Sequence, residues 1–375
     1  MGGSFGLGRV RGIEIGIHYT WLIAFALIMV SLALAFFPIT YPSLSPAMDW
    51  ILGAAGAILL FASVLGHELS HSVVAQQLGL GVRSITLFIF GGVSNIEGEP
   101  KSARDEILIA GAGPLSSIVI GLAFGGLFIL LQGVSVEGAA LTAYLALINL
   151  LLAVFNLIPG FPLDGGRVLR GLIWAATGNF LQATNIATTI GQVIAYLFIF
   201  GGLFLAFTGA FLTGIWLLFI GWFLSSAAGA SRQQAQVERA FEGVRVRDLM
   251  ENEPITVPAD LTLRDMVDDY VLHRNLRALP VVDQEGNVAG LVTVIDLKKV
   301  SRERWDTTTV GEVMTPAHEL VAVGPQTNAG EALQAMGQRD INQVPVLEGG
   351  RLVGLLTRSN MIRYLHLREE LGTRS

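Results

Sequence analysis

Apolar residues fall in long unbroken blocks over roughly the first 230 positions and in short alternating patches after that. A helix needs about 20 residues to cross a bilayer. Six blocks are of that length, near 19–37, 51–77, 107–131, 141–159, 186–207 and 211–229. Only "TGA" (208–210) separates the last two. Two stretches between blocks break the helical pattern. "RGIEIGI" (11–17) alternates with period two, and "VRSITLFIFGG" (82–92) is β-prone and apolar after Arg83. Gly91-Gly92 reads as a turn, with "NIEGEP" (95–100) returning as strand or loop. The pattern predicts a polytopic α-helical domain of six transmembrane helices with a small membrane-associated β-sheet. Residues 84–90 would then offer an exposed strand edge.

The last third repeats itself with a period of 64–65 residues. Residues 246–300 align with 310–365, pairing Met250 with Met314, Pro280 with Pro345, Gly290 with Gly354 and Thr293 with Thr357. Each copy reads strand, helix, strand, turn, strand, helix, which predicts a tandem α/β module. The expected divisions are a membrane domain at 1–230, a linker at 231–243, a first repeat at 244–304, and a second repeat with the tail at 305–375.

Charge sharpens this division. The 375 residues are 52% hydrophobic and 14% charged, against roughly 25% charged in soluble proteins. Residues 1–231 hold only 7 of the Lys/Arg and 9 of the Asp/Glu. Short cytoplasmic loops carry the excess of Lys and Arg. With six spans and both termini inside, Arg9, Arg11, Arg83, Lys101, Arg104, Arg167 and Arg170 all fall on the cytoplasmic side. The expectation is a multi-pass cell-membrane protein with cytoplasmic N- and C-termini. The N-terminus lacks a signal-peptide cleavage pattern, so the first block reads as a permanent span. A net charge of −6 without a basic run excludes nucleic acid as the expected partner. The absence of cysteine excludes disulfides and thiolate ligands.

The second block contains His67-Glu68-Leu69-Ser70-His71. Histidines at i and i+4 share a helix face, which suits two imidazoles on one tetrahedral zinc. Glu68 could reach the attacking water as general base. It is the only Asp, Glu, Lys or Arg within the six blocks, and an ionisable residue in hydrocarbon is a functional-site candidate. A hydrogen-bonded Glu–His cluster is the bland alternative. His67 lies roughly 24 Å along the helix from Ile51, in the cytoplasmic third of a core about 30 Å thick. Two histidines call for a third protein ligand. The candidate is Asp164 in "NLIPGFPLDGGRVLR" (156–170), with Asp105 and Glu106 as alternatives and a helix N-cap as the other role for Asp164. Pro159 and Pro162 interrupt helix there, and Gly165-Gly166 read as a tight turn into the next one. "GAGPLSS" (111–117) reads as small-residue helix packing. His18 reads as an interfacial residue, and His273, His318 and His366 have no ligand spacing.

His67-Glu68-Leu69-Ser70-His71, followed by Asn156, Pro159, Asp164, Gly165 and Gly166, resembles the site-2 protease-like intramembrane zinc metalloproteases. The resemblance covers most of residues 1–230. It implies one Zn2+ per chain held by His67, His71 and Asp164, with Glu68 and Asn156 catalytic. Glu68 would activate water, and Asn156 would hold substrate backbone or the oxyanion. The implied partner is a membrane protein whose transmembrane helix unwinds within the lipid bilayer before attack. Strand addition at 84–90 would hold the unwound segment.

The repeated part resembles a tandem CBS pair, the adenosine-nucleotide-sensing module. The resemblance implies ATP or a related adenine nucleotide as regulator, with Thr293 and Asp296 in the first copy and Thr357 and Asn360 in the second. Asn360 lacks the charge of Asp296. Homodimerisation through these domains is also implied. The other functional classes are a CBS-regulated transporter or channel and a catalytically silent nucleotide receptor.

Overall fold

A computed structural model describes residues 4–89, 91–283 and 285–371. Phe90, the last residue of the expected strand edge, lies outside the described residues. The chain forms two compact units, Met1–Gln233 and Gln234–Ser375.

The first unit opens on a hairpin of β1 (Ser4–Val10) and β2 (Ile13–His18). It turns at Arg11 and Gly12, both at positive φ. Helices α1 (Trp21–Ser31) and α2 (Phe37–Thr40) join through a π-helical stretch at Leu32–Phe36 into one apolar rod. Helix α3 (Pro46–Gln77) runs back and leads into β3 (Gly81–Phe88) and β4 (Gly91–Glu97). The sheet order is β1-β2-β3-β4, with β2 and β3 parallel and the other neighbours antiparallel. Parallel neighbours need a long crossover, which the α1–α3 excursion supplies. Ile13 and Ile15 of β2, and Ile85 and Leu87 of β3, are buried. Their two-residue spacing places each pair on one sheet face.

This order corrects one expectation. Strand β3 lies between β2 and β4, so residues 84–88 offer no free edge. The edge strands are β1 and β4. Gly91-Gly92 is also not a turn apart from the sheet, because it starts β4, with Gly92 opposite Leu87.

The remaining helices are α4 (Ala103–Leu131), α5 (Val136–Asn156), the short α6 (Asp164–Thr177), α7 (Phe180–Phe207) and α8 (Phe211–Ala240). Among the described residues, six helical segments are long and apolar enough to cross a membrane, as the hydrophobic blocks predict. Several begin earlier than their apolar blocks because serine caps their first turns. Ser45 accepts from Met48 N–H, Ser102 from Asp105 N–H and Ser135 from Gly138 N–H. Asp49, Asp105, Glu106 and Glu137 therefore enter first turns, where the helix dipole favours negative charge. Glu68 is thus not the sole carboxylate on a long helix.

The second unit builds two sheets. In one, β6 (Val257–Pro258), β7 (Ala278–Val282), β8 (Val288–Thr293) and β9 (Thr315–Pro316) lie in that order. The other is formed by β10 (Gln343–Glu348), β11 (Arg351–Thr357) and β5 (Glu251–Asn252). Its helices are short: α9 (Val246–Leu249), α10 (Leu263–Asp265), α11 (Val294–Leu297), α12 (Val310–Val313), α13 (Ala329–Gln338) and α14 (Arg358–Glu370). The repeats exchange their leading strands. Strand β5 precedes the first repeat's sheet yet pairs with β11 of the second. In return, β9 pairs with β8 of the first. Repeat-equivalent methionines follow the exchange. A Cβ on Gly354 would meet Met250 Sδ at 2.5 Å, and one on Gly290 would meet Met314 Sδ at 2.6 Å. Ala278, Leu291 and Leu355 from both repeats share a core with Leu320. The copies are therefore interlocked, whereas a serial reading makes each one self-contained.

Candidate metal centre

Helix α3 places His67 and His71 one turn apart, both buried, with ring centroids 4.9 Å apart. Each imidazole aims Nε2 at the same oxygen of Asp164. His67 Nε2 lies 3.1 Å and His71 Nε2 3.2 Å from Oδ2. Among the described residues, these three form the group whose ligand atoms all lie within 4.8 Å of one another. The sequence-predicted triad is thus brought together across 93 to 97 positions of chain.

The protonation pattern tests whether this cluster fits a metal. His71 Nδ1 lies 2.6 Å from the Ile109 carbonyl oxygen. A carbonyl only accepts, so Nδ1 carries the hydrogen, and in the neutral ring Nε2 presents a lone pair. His67 Nδ1 is 2.9 Å from Ser117 Oγ, which can likewise accept from it. In that neutral tautomer two ring lone pairs and a carboxylate face one point, an arrangement that a cation would hold together. Bonds from the outer ring nitrogens are also how metal-bound histidines are held in tautomer and orientation. The donor set of two nitrogens and one oxygen fits zinc with one position left open.

Space is reserved at the same point. A Cβ on Gly113 would lie 2.2 Å from His71 Nε2 and 2.5 Å from His67 Nε2. The "GAGPLSS" segment is therefore more than helix packing. Gly113 leaves the room, and Ser117, one turn on, orients His67. The readable signal was a glycine and a serine at i, i+4 on the helix crossing α3.

Asp164 is the first residue of α6, and Leu163 holds the N-cap position. The carboxylate is therefore not the helix cap, and it is free to face the histidines. Gly165 and Gly166 lie inside the first turn of α6 and serve close approach, not a turn. A Cβ on Gly165 would meet Leu157 O at 2.3 Å, and one on Gly166 would meet Gly160 C at 2.3 Å. Behind this turn, fully buried Glu106 accepts from Arg167 Nε at 3.1 Å and Arg170 Nη2 at 2.7 Å. The Arg170 guanidinium also lies over the Phe161 ring at 5.0 Å and the Phe180 ring at 4.6 Å. Glu106 is thereby engaged as an anchor tying α6 to α4, and it lies outside the convergent group of His67, His71 and Asp164. The sequence reading missed this anchor.

Glu68 packs against β4. Ser94 Oγ donates to Glu68 Oε2 at 2.8 Å, and a Cβ on Gly92 would meet Glu68 Cγ at 2.4 Å. Asn156 ends α5, with its amide donating to Leu152 O at 3.0 Å. In the second unit, Thr293 and Asp296 bond each other as a reciprocal helix cap, with Thr293 Oγ1 donating to Asp296 Oδ2 at 2.7 Å. Lys299 adds a 2.8 Å bond to Asp296. In the second copy Thr357 Oγ1 donates to Asn360 Oδ1 and accepts from Asn360 N–H.

The description "Peptidase family M50" matches residues 55–143 and 135–200, and "CBS domain" matches 246–303 and 310–367. The Mycobacterium tuberculosis protein Rip3, named provisionally as a zinc metalloprotease, is 38% identical over 364 residues. The match covers 96% of this chain and 92% of Rip3. Zinc metalloprotease MJ0392 of Methanocaldococcus jannaschii is 31% identical over 373 residues, 98% of each chain. A solved structure of the site-2 protease from Methanocaldococcus jannaschii is 34% identical. It covers 61% of this chain and 95% of its own, with a TM-score of 0.42.

Proposed function

The chain belongs to peptidase family M50, the site-2 proteases, as a multi-pass zinc metalloprotease with tandem CBS domains, and on that premise we propose that it cleaves transmembrane segments of other membrane proteins under adenine-nucleotide control. The observation that carries the site assignment is the convergence of His67 Nε2, His71 Nε2 and Asp164 Oδ2, with Glu68 beside them.

In this reading the three side chains hold one zinc. When bound, it polarises the scissile carbonyl and acidifies water. Glu68 takes the proton that water loses as its oxygen joins the carbonyl carbon. It returns that proton to the amide nitrogen as the C–N bond breaks. Asn156 turns from Leu152 to hold the substrate backbone or the oxyanion. The expected result for Glu68→Gln is loss of cleavage with zinc retained. Proteomics of membrane fragments in cells carrying wild-type or Glu68→Gln protein tests this and identifies the substrate. Identical fragment sets would defeat the reading.

An unwound substrate segment needs partners for its backbone groups, and a strand edge provides them. Strand β4 is the edge that touches Glu68, and Val93 and Asn95 are exposed on it. We place the substrate there instead of on β3. A photo-crosslinker at position 93 or 95 of the Glu68→Gln protein should capture substrate. Capture only from β1, at position 5 or 7, would overturn the placement.

The regulatory proposal is supported by the CBS matches and by the Thr293–Asp296 and Thr357–Asn360 positions. Dimerisation through the CBS pair, and cytoplasmic termini, belong to the same reading. Crosslinking in membranes and protease protection of tagged ends test them.

A further inference from the structure

A hydroxyl chain ties Glu68 to the edge strand. Ser72 on α3 is fully buried, and its Oγ donates to Ser94 Oγ at 3.2 Å. Ser94 in turn donates to Glu68 Oε2 at 2.8 Å, with the Glu68 backbone carbonyl a longer alternative at 3.3 Å. A hydroxyl has one hydrogen. With Ser72 filling one acceptor position of Ser94, the Ser94 hydrogen is directed to the carboxylate. Oε2 is thereby occupied from the protein side, and Oε1 is the oxygen left for chemistry.

The strand pattern reinforces this. Gly92 and Ser94 are two apart on β4 and face the same way. Gly92 makes room for the Glu68 Cγ, and Ser94 holds its carboxylate. Val93 lies between them and is 53% exposed. One strand therefore supports the carboxylate with one face and presents a free edge to solvent or substrate.

We infer that Ser94 is a positioning residue for Glu68, oriented by Ser72, so that the conformation of β4 sets the direction of the carboxylate. The inference rests on Glu68 being the base. A substrate segment paired along β4 would stiffen the strand and, through Ser94, the base. Carboxylate alignment would then be coupled to strand occupancy.

The experiment uses the full chain in phosphatidylethanolamine–phosphatidylglycerol vesicles, with a transmembrane substrate found by the fragment comparison. Ser94→Ala should lower kcat about tenfold, the scale of one hydrogen bond to a charged group. KM should stay within about twofold and zinc content should be unchanged. Ser94→Thr, which keeps the hydroxyl, should restore most of kcat. A Ser94→Ala enzyme with wild-type kcat would overturn the inference. So would a Thr variant no better than Ala, or a loss seen only in KM or zinc content. Glu68→Gln run alongside separates the two layers. If it still cleaves, the base assignment fails. If it is inactive while Ser94→Ala is unimpaired, only the role of Ser94 fails.

Discussion

At the scale of single residues, the proposed metal centre depends on groups outside the set of His67, His71 and Asp164. Ser117 fixes the His67 ring, and the Ile109 carbonyl fixes that of His71. Loss of such an outer bond typically weakens metal affinity about 10–100-fold. Ser117→Ala should therefore fall in that range by competition with a chelator. Ile109 cannot be probed this way, because its contribution is a backbone carbonyl. Gly113→Ala is the sterner case. Its methyl would occupy the space within 2.5 Å of both Nε2 atoms. Zinc content after purification should fall to a small fraction of wild type, while the helical circular dichroism signal is kept. Full zinc occupancy in that variant would mean that α3 and α4 separate easily. The glycine and serine at i, i+4 in "GAGPLSS" were the readable signal, but their partner was not, because a stretch of small residues looks the same whether it faces a helix or an imidazole pair.

At the scale of elements, α6 carries Asp164 and must be held without a membrane-spanning length of its own. Glu106 supplies that hold through Arg167 and Arg170. Removing one partner of a buried ion pair typically costs about 3–5 kcal/mol, because the other charge is left stranded. Glu106→Gln should therefore lower the unfolding temperature in detergent markedly. Glu106→Gln combined with Arg170→Met should recover part of the loss. A double variant worse than the sum of the singles would argue against charge stranding. The same cluster bears on the charge map, since two of the seven cations that suggested topology are engaged with Glu106. The six long helices were legible because each is an apolar block. Their starts were not, because Ser45, Ser102 and Ser135 extend helix into polar sequence by capping. Strand β1 was hidden for a different reason. "SFGLGRV" places glycines at 6 and 8, which weaken intrinsic strand preference, and the register shifts between them. Its pairing comes from β2, a contact that local sequence does not encode. The position of β3 inside the sheet also depends on pairing partners far along the chain.

At the scale of the whole molecule, the two CBS repeats were legible as a period, but their exchange of strands was not. Alignment places Met250 against Met314, yet each methionine packs on the other repeat's glycine. A chain ending after residue 305 would lose β9 from one sheet and the partner of β5 from the other. The remaining repeat should then unfold and be digested up to the end of α8 by a dilute protease, while the zinc content of the membrane domain persists. A protease-resistant single repeat would contradict the interlock. This also determines how the regulatory proposal must be tested. Deleting one repeat damages both, so a clean comparison removes residues 244–366 together or changes a ligand candidate in place. Thr293 and Asp296 cap α11 through each other, and loss of a cap costs about 1 kcal/mol. A Thr293→Ser variant keeps that bond and serves as the structural control for Thr293→Ala. If adenine nucleotide acts through this turn, ATP should change the cleavage rate of the wild-type and Ser forms. The response should vanish in the module-deleted form and shift to higher ATP in the Ala form. A deleted form that keeps both the basal rate and the ATP response would place regulation outside the CBS pair.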